Sequence, residues 1–233
     1  MWKDWDELPP EMRTQAVRPY YEILSHRRVG LFGKRLFDVV AGTLLLIPLS
    51  PVLLVIGAWV RLDSPGPALF RQVRVTQYGR EFRIFKFRTM CVNNKGAQVT
   101  TAGDARITRA GKRLRARRMD ELPQILNIIA GDMSFVGPRP EVPRYVARYS
   151  DEMRATLLVP AGVTSDCSLL YKDEGLRLEG AADVDETYVN VVLPEKMAHN
   201  LRSLKEFSFF GELIVMLSTA AMALLGKEDK SDG

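Results

Sequence analysis

The chain has 233 residues, of which 46% are hydrophobic and 26% charged, so it can bury a core and extended disorder is excluded over most of its length. Its net charge of +5 favours anionic partners such as phosphorylated ligands, nucleic acid or an acidic membrane surface. Two cysteines are too few for a disulfide framework and two histidines are too few for a histidine-rich metal site, which leaves oxygen ligands for any metal.

Residues 1–30 are interpreted as a polar, amphipathic preface to the fold. The tetrapeptide Asp-Glu-Leu-Pro at residues 6–9 predicts a helix start, because Asp6 can cap a helix whose first turn contains proline. The letters that follow, EMRTQAVRPYYEIL, place aromatic and aliphatic residues at helical spacing. No basic cluster lies beside this copy, so it implies no phosphate site.

Residues 31–62 are predicted to enter the membrane. The uncharged stretch VVAGTLLLIPLSPVLLVIGAWV would make a helix roughly 33 Å long, enough for a bilayer core. Pro48, Ser50 and Pro51 lie near its middle and predict a sharp bend, in which Ser50 bonds a freed backbone carbonyl. Basic residues flank both ends, and basic loops stay cytoplasmic. We therefore expect a re-entrant helical hairpin; a kinked transmembrane helix and a buried core helix are the alternatives.

Residues 63–205 are predicted to form a compact cytosolic catalytic domain that is mainly α with a small β-hairpin, an α+β fold. The segments ALFRQVRV and REFRIFKFRTM indicate two strands, joined through TQYG with Gly79 in the connection. Residues 104–157 have a helical pattern that is interrupted at GDMSFVGPRPEVP, and residues 160–195 are rich in loops and acids.

The C-terminal part of the chain contains a second, shorter apolar stretch. Residues 206–226 include SFFGELIVMLSTAAMALLG, whose one charge is Glu212, and this length is short for a membrane span. We expect a helix that lies in the membrane interface, with a core helix as the alternative. Residues 227–233 are a polar tail.

The second Asp-Glu-Leu-Pro, at residues 120–123, follows a basic run that contains no acid. The cations of this run are Arg106, Arg109, Lys112, Arg113, Arg115, Arg117 and Arg118. Adjacent carboxylates repel, which raises the tendency of one to keep a proton, whereas nearby cations favour ionisation. Ionised Asp120 and Glu121 can hold Mg²⁺ together with substrate phosphate oxygens, and an ionised aspartate can attack phosphorus. The alternative for this copy is a simple helix cap.

Further basic residues lie on either side of the carboxylate pair in the sequence. Arg139 stands between Pro138 and Pro140, and prolines at both neighbours stiffen its backbone, so its guanidinium is pre-organised to bind an anion. The alternative is a rigid surface turn. Lys86 and Arg88 in FKFRTM form another basic pair, which could equally be solvated strand charges.

The combination of these motifs resembles the bacterial sugar transferases, specifically the small monotopic phosphoglycosyl transferases. The resemblance runs from about Lys34 to Pro140. It rests on KRLFDVV, the Ser50-Pro51 pair, DSPGPALFRQ, FKFRTM, RITRAGKRLR and DELPQILNIIAGDMSFVGPRP. The chain departs from the family pattern at Arg74-Val75-Thr76, in the hairpin, and at Pro160-Ala161-Gly162-Val163-Thr164-Ser165. Residues 165–195 are a plausible sugar-selecting region.

The resemblance implies that a sugar-1-phosphate passes from a UDP-sugar to polyprenyl (undecaprenyl) phosphate, with release of UMP, as the first membrane step of glycan assembly. The reaction would take place at the cytoplasmic face of the bacterial inner membrane. Asp120 would be the nucleophile that carries the phosphosugar, and Glu121 would help to bind Mg²⁺ and assist the incoming lipid phosphate. The residues expected to bind substrate are Lys86, Arg88, Arg106, Arg115 and Arg139.

Two other functions compete with the enzyme. A non-catalytic membrane-binding module would use the arginines to hold anionic lipid, with Asp120 and Glu121 acting only as a cap. Nucleic-acid binding through the basic run is disfavoured, because aromatic residues are sparse around residues 106–118 and the chain has a long apolar segment.

Overall fold

The computed structural model describes residues 2–91, 105–165 and 183–225, with side chains in the last range up to residue 219. The predicted sugar-selecting stretch 165–195 therefore lies largely outside the described residues. The helices are α1 (Arg18–Ser25), α2 (Arg28–Asp63), α3 (Arg109–Ala116), α4 (Ile125–Ala130), α5 (Pro143–Val146), α6 (Val184–Thr187), α7 (Leu193–Lys205) and α8 (Phe209–Leu225). The strands are β1 (Leu69–Val75), β2 (Glu81–Phe87), β3 (Met133–Val136) and β4 (Ala161–Thr164). Short 3₁₀ helices lie at Trp5–Glu7, Pro10–Met12, Gln77–Gly79, Met119–Gln124 and Met153–Leu158, and a π-helical turn lies at Tyr188–Val192.

The predicted helix start at the first Asp-Glu-Leu-Pro is wrong in its details. Asp4, rather than Asp6, occupies the N-cap of a short 3₁₀ turn, and its backbone N–H donates to Glu7 Oε2 at 3.0 Å. Pro9 then ends this turn, because proline restricts the residue before it to extended backbone. The longer helix expected after it is confined to α1, since residues 13–17 form turns.

The predicted hairpin is confirmed. β1 and β2 pair antiparallel, with Leu69 opposite Phe87 and Val75 opposite Glu81. The chain reverses through Tyr78 and Gly79, which adopt φ values of 59° and 74°, a region that glycine enters without strain. A second sheet was not predicted: β3 and β4 pair in parallel, so the described part of the chain is mainly helical with two small sheets.

The main hydrophobic core joins segments from both ends of the chain. Met12, Val17 and Leu24 of the N-terminal preface are fully buried, and they belong to the same cluster as Leu193 and Met197 of α7. The preface is therefore part of the core of the folded domain. Smaller clusters lie beneath the hairpin and along α2.

The apolar segment forms one helix, α2, of 36 residues, with Pro48 and Pro51 inside it. It is long and apolar enough to cross a membrane by length and composition, and only 11% of its most apolar window is buried. Ser50 Oγ donates to the Ile47 carbonyl at 2.8 Å, which confirms the predicted satisfaction of a carbonyl that loses its partner at Pro51. Buried residues occur in both arms of α2 and none lies between residues 43 and 55.

The N-terminal arm of α2 is fixed to the domain by charged side chains of the KRLFDVV motif. Lys34 Nζ donates to the Val136 carbonyl at 2.8 Å, and Asp38 Oδ1 accepts from the Phe135 backbone at 3.2 Å, so both bind the end of β3. Arg35 donates to carbonyls at the end of α4. Buried polar groups that each find a backbone partner hold this arm in one position.

The C-terminal arm of α2 is fixed in a comparable way. Asp63 Oδ2 accepts a hydrogen bond from Ala110 N at the start of α3, at 3.0 Å. Ile56 and Val60 pack with Phe87 and Leu114 in a separate hydrophobic cluster. The two arms of the apolar helix are thus attached to the same folded domain, and its middle is exposed.

The C-terminal apolar stretch forms a helix, α8, as expected. Its Glu212 forms an ion pair with Lys34, and Phe209 packs edge-on against Phe37 of α2. Phe210 and Ile214 are 74% and 65% exposed, so α8 presents an uncovered apolar face.

Candidate active site

The carboxylate pair lies in the Met119–Gln124 3₁₀ helix, which begins where the chain turns sharply after α3. Arg118 adopts a left-handed conformation with φ 52° and occupies the N-cap without a side-chain capping bond. Asp120 and Glu121 are both inside the first turn and are 8% and 9% exposed. The interpretation of this copy as a helix cap is therefore wrong.

Glu121 is held by two cations that come from different parts of the chain. Lys86 Nζ in β2 donates to Glu121 Oε1 at 2.7 Å, and Arg139 Nη2 donates to the same oxygen at 2.6 Å. Burial alone would raise the pKa of Glu121, but the charges and hydrogen bonds of Arg139 and Lys86 outweigh burial and hold it well below its usual range. Glu121 is thus firmly ionised.

Asp120 has the opposite electrostatic environment although it is the adjacent residue. Burial raises the pKa of Asp120, the negative charge of Glu121 raises it further, and the cations Lys86 and Arg115 offset only part of this increase. Within the described part of the chain, no side chain donates a hydrogen bond to the Asp120 carboxylate. The predicted repulsion between adjacent carboxylates therefore helps to raise the pKa of Asp120. The predicted stabilisation by cations acts mainly on Glu121, whose pKa it lowers.

The turn that carries Arg139 is fixed from both sides. Gly137 N donates to the Thr164 carbonyl and Gly162 N donates to the Pro138 carbonyl, which ties the turn to β4. A side chain at Gly137 would meet the Pro160 carbonyl at 2.5 Å, so this close approach requires glycine. The predicted stiffness of Pro-Arg-Pro is thus reinforced by hydrogen bonds.

Arg74 and a buried charge network support this turn, and sequence reasoning missed both. Arg74 Nη1 donates to the Pro140 carbonyl at 3.0 Å. Glu141 Oε1 accepts from Tyr188 Oη at 2.6 Å and from Lys196 Nζ at 3.3 Å. Burial would raise the pKa of Glu141, but the charges of Lys196 and Arg74 and the hydrogen bonds outweigh it, and the pKa is lowered.

One feature of the sequence indicates that part of this network is buried. Lys196 lies on the apolar stripe of α7, next to Met197 and one turn from Leu193 and Asn200, where a solvated lysine is not expected. A lysine at such a position must have a buried partner, since an unpaired buried charge is very costly. The sequence alone did not identify Glu141 as that partner.

Asn127 joins the strand that carries Lys86 to the segment that carries the carboxylates. Its Oδ1 accepts from the backbone of Phe85 at 2.9 Å, and its Nδ2 donates to the Arg83 carbonyl at 3.1 Å. Asn127 is completely buried. These bonds set the position of β2 against α4, and hence the distance between Lys86 and Glu121.

The other predicted substrate-binding residues divide between the site and the end of α2. Arg115 Nε donates to Thr89 Oγ1 at 2.9 Å and acts electrostatically on Asp120. Arg88, by contrast, is 4% exposed and donates to the carbonyls of Val60, Ser64 and Pro65, where α2 ends. These bonds direct the Arg88 guanidinium to the end of α2, whereas Lys86 contacts Glu121, so the two members of the basic pair have different partners. Arg106 accepts a bond from Cys91 N through its carbonyl.

The site lies against the C-terminal arm of α2. Met119 and Leu122, which flank the two carboxylates, pack in the cluster formed by Ile56 and Val60. The carboxylates are therefore positioned beside the apolar helix.

Any metal at this site would have to share the two carboxylates with a substrate. Among the described residues, no group of three or more His, Cys, Asp or Glu side chains could hold a metal. Both described side-chain hydrogen bonds to Glu121 end on Oε1, and no described side chain donates to Glu121 Oε2 or to the Asp120 carboxylate. Mg²⁺ commonly uses one or two carboxylates together with phosphate oxygens and water, so the residues fit the predicted ion.

Comparison with known proteins agrees with the motifs. The family model described as bacterial sugar transferase matches residues 29–226, which is most of the chain. A relative from Aeromonas hydrophila, named UDP-N-acetylgalactosamine-undecaprenyl-phosphate N-acetylgalactosaminephosphotransferase, is 36% identical over 200 residues; these cover 84% of this chain and 44% of the relative.

Two further relatives have similar names. UDP-glucose:undecaprenyl-phosphate glucose-1-phosphate transferase of Caulobacter vibrioides is 48% identical over 157 residues, which cover 61% of this chain and 58% of the relative. An uncharacterized sugar transferase of Bacillus subtilis is 38% identical over 194 residues, covering 83% of this chain and 88% of the relative. The chain thus spans about half the length of the first two relatives and most of the length of the third.

Proposed function

Because the chain belongs to the bacterial sugar transferase family, we propose that it transfers a sugar-1-phosphate from a UDP-sugar to undecaprenyl phosphate and releases UMP. The relatives from Aeromonas and Caulobacter are named for transfers of this kind. The observation that carries the proposal is the buried Glu121 carboxylate, bound by Lys86 and Arg139, beside the buried Asp120, whose carboxylate accepts from no described side chain. This arrangement offers a nucleophile next to groups that bind phosphate.

In the first step, an oxygen of Asp120 attacks the sugar-bearing phosphorus of the donor. A bond forms between this oxygen and phosphorus, the bond from phosphorus to the bridging oxygen breaks, and that oxygen leaves with UMP. In the second step, an oxygen of undecaprenyl phosphate attacks the same phosphorus and releases the Asp120 carboxylate. The product is an undecaprenyl diphosphate sugar, which would begin the assembly of a surface glycan or glycoconjugate.

Lys86, Arg139 and Arg115 supply positive charge for the phosphates in this proposal. Phosphoryl transfer depends chiefly on positioning and charge stabilisation, so cations on fixed backbone contribute most. Glu121 holds Lys86 and Arg139 in place until the donor arrives. A carboxylate with a strongly lowered pKa is a weak base, so we assign Glu121 to binding in preference to proton transfer from the lipid phosphate.

We propose that Asp120 and Glu121 hold Mg²⁺ together with the donor diphosphate. The ion, when bound, supplies charge that neutralises the phosphate oxygens. The chain's own contribution is a pair of carboxylates with three oxygens that accept from no described side chain. Removal of divalent ions with a chelator is expected to abolish UMP release, and addition of Mg²⁺ to restore it.

We further propose that α2 enters the membrane and returns to the cytoplasmic face of the bacterial inner membrane. Support comes from the exposed middle of α2 and from polar anchors that attach both arms to one domain. Single cysteines at Arg13 and Arg83, in a Cys91→Ser/Cys167→Ser background, are both expected to be inaccessible to a membrane-impermeant maleimide from the periplasm. Labelling of one of the two cysteines from the periplasm and of the other from the cytoplasm would instead indicate a transmembrane helix.

The decisive test is a UMP-release assay across UDP-sugars, with undecaprenyl phosphate, Mg²⁺ and the full chain in lipid. We expect turnover with at least one UDP-sugar, and a single stoichiometric release of UMP when the acceptor is omitted. Release that strictly requires the acceptor would contradict the covalent intermediate. Membrane binding without UMP release from any donor would favour the non-catalytic basic module.

A further inference from the structure

The outer face of α3 carries a cluster of cations that the proposed reaction does not use. Arg109, Lys112 and Arg113 are exposed, and Lys112 and Arg113 lie three and four residues after Arg109, so the three share one face of the helix. None of them forms a hydrogen bond or ion pair with another described side chain, and residues 105–119 contain no acid. The buried face, with Ala110 and Leu114, lies on the opposite side.

This basic face has a fixed position relative to the apolar helix. Leu114 packs with Ile56 and Val60 of α2. The first turn of α3 is bound to Asp63, the last residue of α2, through Ala110 N at 3.0 Å. A side chain at Gly111 would lie 2.1 Å from the Thr89 carbonyl, so α3 is also tightly seated on the hairpin.

The three cations therefore lie beside the C-terminal end of α2, where its apolar stretch ends and the chain becomes polar. If α2 is embedded as the proposed function requires, this level coincides with the lipid head groups. Arg115, the remaining cation within α3, instead donates to Thr89 and acts on Asp120, so it belongs to the active site. The same short helix thus presents one cation to the active site and three to the exterior.

We propose that the face formed by Arg109, Lys112 and Arg113 binds the head groups of acidic phospholipids and seats the catalytic domain on the bilayer. This proposal rests on the proposed membrane insertion of α2, but it concerns a different ligand from the undecaprenyl phosphate that reacts. Basic side chains near an acidic leaflet attract it electrostatically, and α3 is rigid enough to present three of them together. Acidic phospholipid would then accumulate around the C-terminal arm of α2.

Trp59, in the C-terminal arm of α2, provides a local probe of this lipid. It packs beside the cluster that holds α3, and the other tryptophans can be removed as Trp2→Phe and Trp5→Phe. In nanodiscs, quenching of Trp59 fluorescence by brominated phosphatidylglycerol or brominated phosphatidylcholine gives the selectivity for acidic over zwitterionic lipid. We expect clear selectivity for phosphatidylglycerol, which decreases as salt is added because the attraction is screened.

The triple variant R109Q/K112Q/R113Q tests the assignment. Selectivity is expected to fall by about fivefold for each cation that contacts head groups, until it reaches unity. The matched control R13Q/R148Q removes two exposed arginines outside α3 and is expected to keep the wild-type selectivity. Equal selectivity in the wild type and the triple variant, or a wild-type selectivity of one, would overturn the proposal.

Activity measured in the same nanodiscs separates this inference from the proposed function. In pure phosphatidylcholine the triple variant is expected to release UMP at the wild-type rate, because none of its substitutions alters the active site. In discs that contain phosphatidylglycerol, only the wild-type protein should gain activity or affinity for undecaprenyl phosphate. Loss of UMP release by both proteins in all lipids would reject the proposed function while the quenching result still decides the lipid site.

Discussion

The tetrapeptide Asp-Glu-Leu-Pro occurs at residues 6–9 and at residues 120–123, and the two copies lie in very different surroundings. Both take part in short 3₁₀ turns. In the first copy, Asp6 and Glu7 are exposed, and Glu7 Oε2 accepts from the nearby Asp4 N. In the second copy both carboxylates are buried, and the partners of Glu121 come from 35 and 18 residues away. The same four residues thus form a similar local turn in both places. Contacts with distant segments determine whether that turn becomes part of the candidate active site.

A second contrast exists within the later copy. Asp120 and Glu121 are neighbours, yet burial raises the pKa of Asp120 while Arg139 and Lys86 outweigh burial at Glu121 and lower its pKa. Environments that move the pKa values of two adjacent acids apart are typical of catalytic pairs with divided roles. The direction of each side chain, which the sequence does not specify, produces this division.

The largest expected effect is on activity, which should depend on the second Asp-Glu-Leu-Pro copy and not on the first. Asp120→Asn removes the proposed nucleophile and is expected to lower the rate of UMP release by about a thousandfold or more. Asp6→Asn, the matched change in the first copy, is expected to leave the rate unchanged because Asp6 is exposed and distant in sequence from the site. Turnover by Asp120→Asn close to the wild-type rate would remove Asp120 from the mechanism, provided that both variants bind membranes normally.

The features predicted correctly from sequence depend on short-range patterns. The hairpin was predicted from two β-rich runs around Gly79, and the Ser50 bond to a freed carbonyl follows from the position of Pro51 alone. Such features need little knowledge of how remote segments pack.

The features that were missed depend on packing between remote segments. The parallel pairing of β3 with β4 joins residues separated by a long connection, and four-residue strands give almost no periodic signal. The position of Lys196 on the apolar stripe of α7 indicates burial, but its partner Glu141 is identified only when α7 packs against the segment that follows the Pro-Arg-Pro turn. The bonds from Arg88 to the backbone at the end of α2 likewise depend on how α2 meets the end of β2, which the pair Lys86 and Arg88 in the sequence does not specify.

A smaller effect is expected on the free energy of unfolding, which should also depend on the second copy more than on the first. Glu121→Gln leaves Lys86 and Arg139 without their anionic partner, and we expect the free energy of unfolding to fall by about 3 kcal/mol. Since the folded pKa of Glu121 is lowered, this contribution is present above the pKa of the unfolded state and is lost only as pH falls through the lower folded value. Denaturant unfolding at neutral and acid pH measures the difference.

The exposed Glu7 provides the matched control for this stability measurement. Glu7→Gln is expected to change the free energy of unfolding by no more than about 0.5 kcal/mol, because Glu7 remains in solvent and a glutamine oxygen can still accept from Asp4 N. Equal losses for Glu7→Gln and Glu121→Gln would mean that the Lys86 and Arg139 contacts contribute nothing in solution.

The smallest effect is a gain in stability where the previous substitution causes a loss. It concerns Asp120 in the absence of donor and divalent ions. Because its folded pKa is raised, the ionised form of Asp120 costs stability, and this cost develops as pH rises through the folded value. Asp120→Asn is therefore expected to raise the melting temperature at neutral pH, by about 2–4 °C for each kcal/mol relieved, and to lose this gain at acid pH where Asp120 is protonated. Asp6→Asn should shift neither value. A melting temperature that falls in Asp120→Asn at neutral pH would show that the carboxylate is stabilised by its cations even without a ligand, and the contrast between the two neighbouring acids would then disappear.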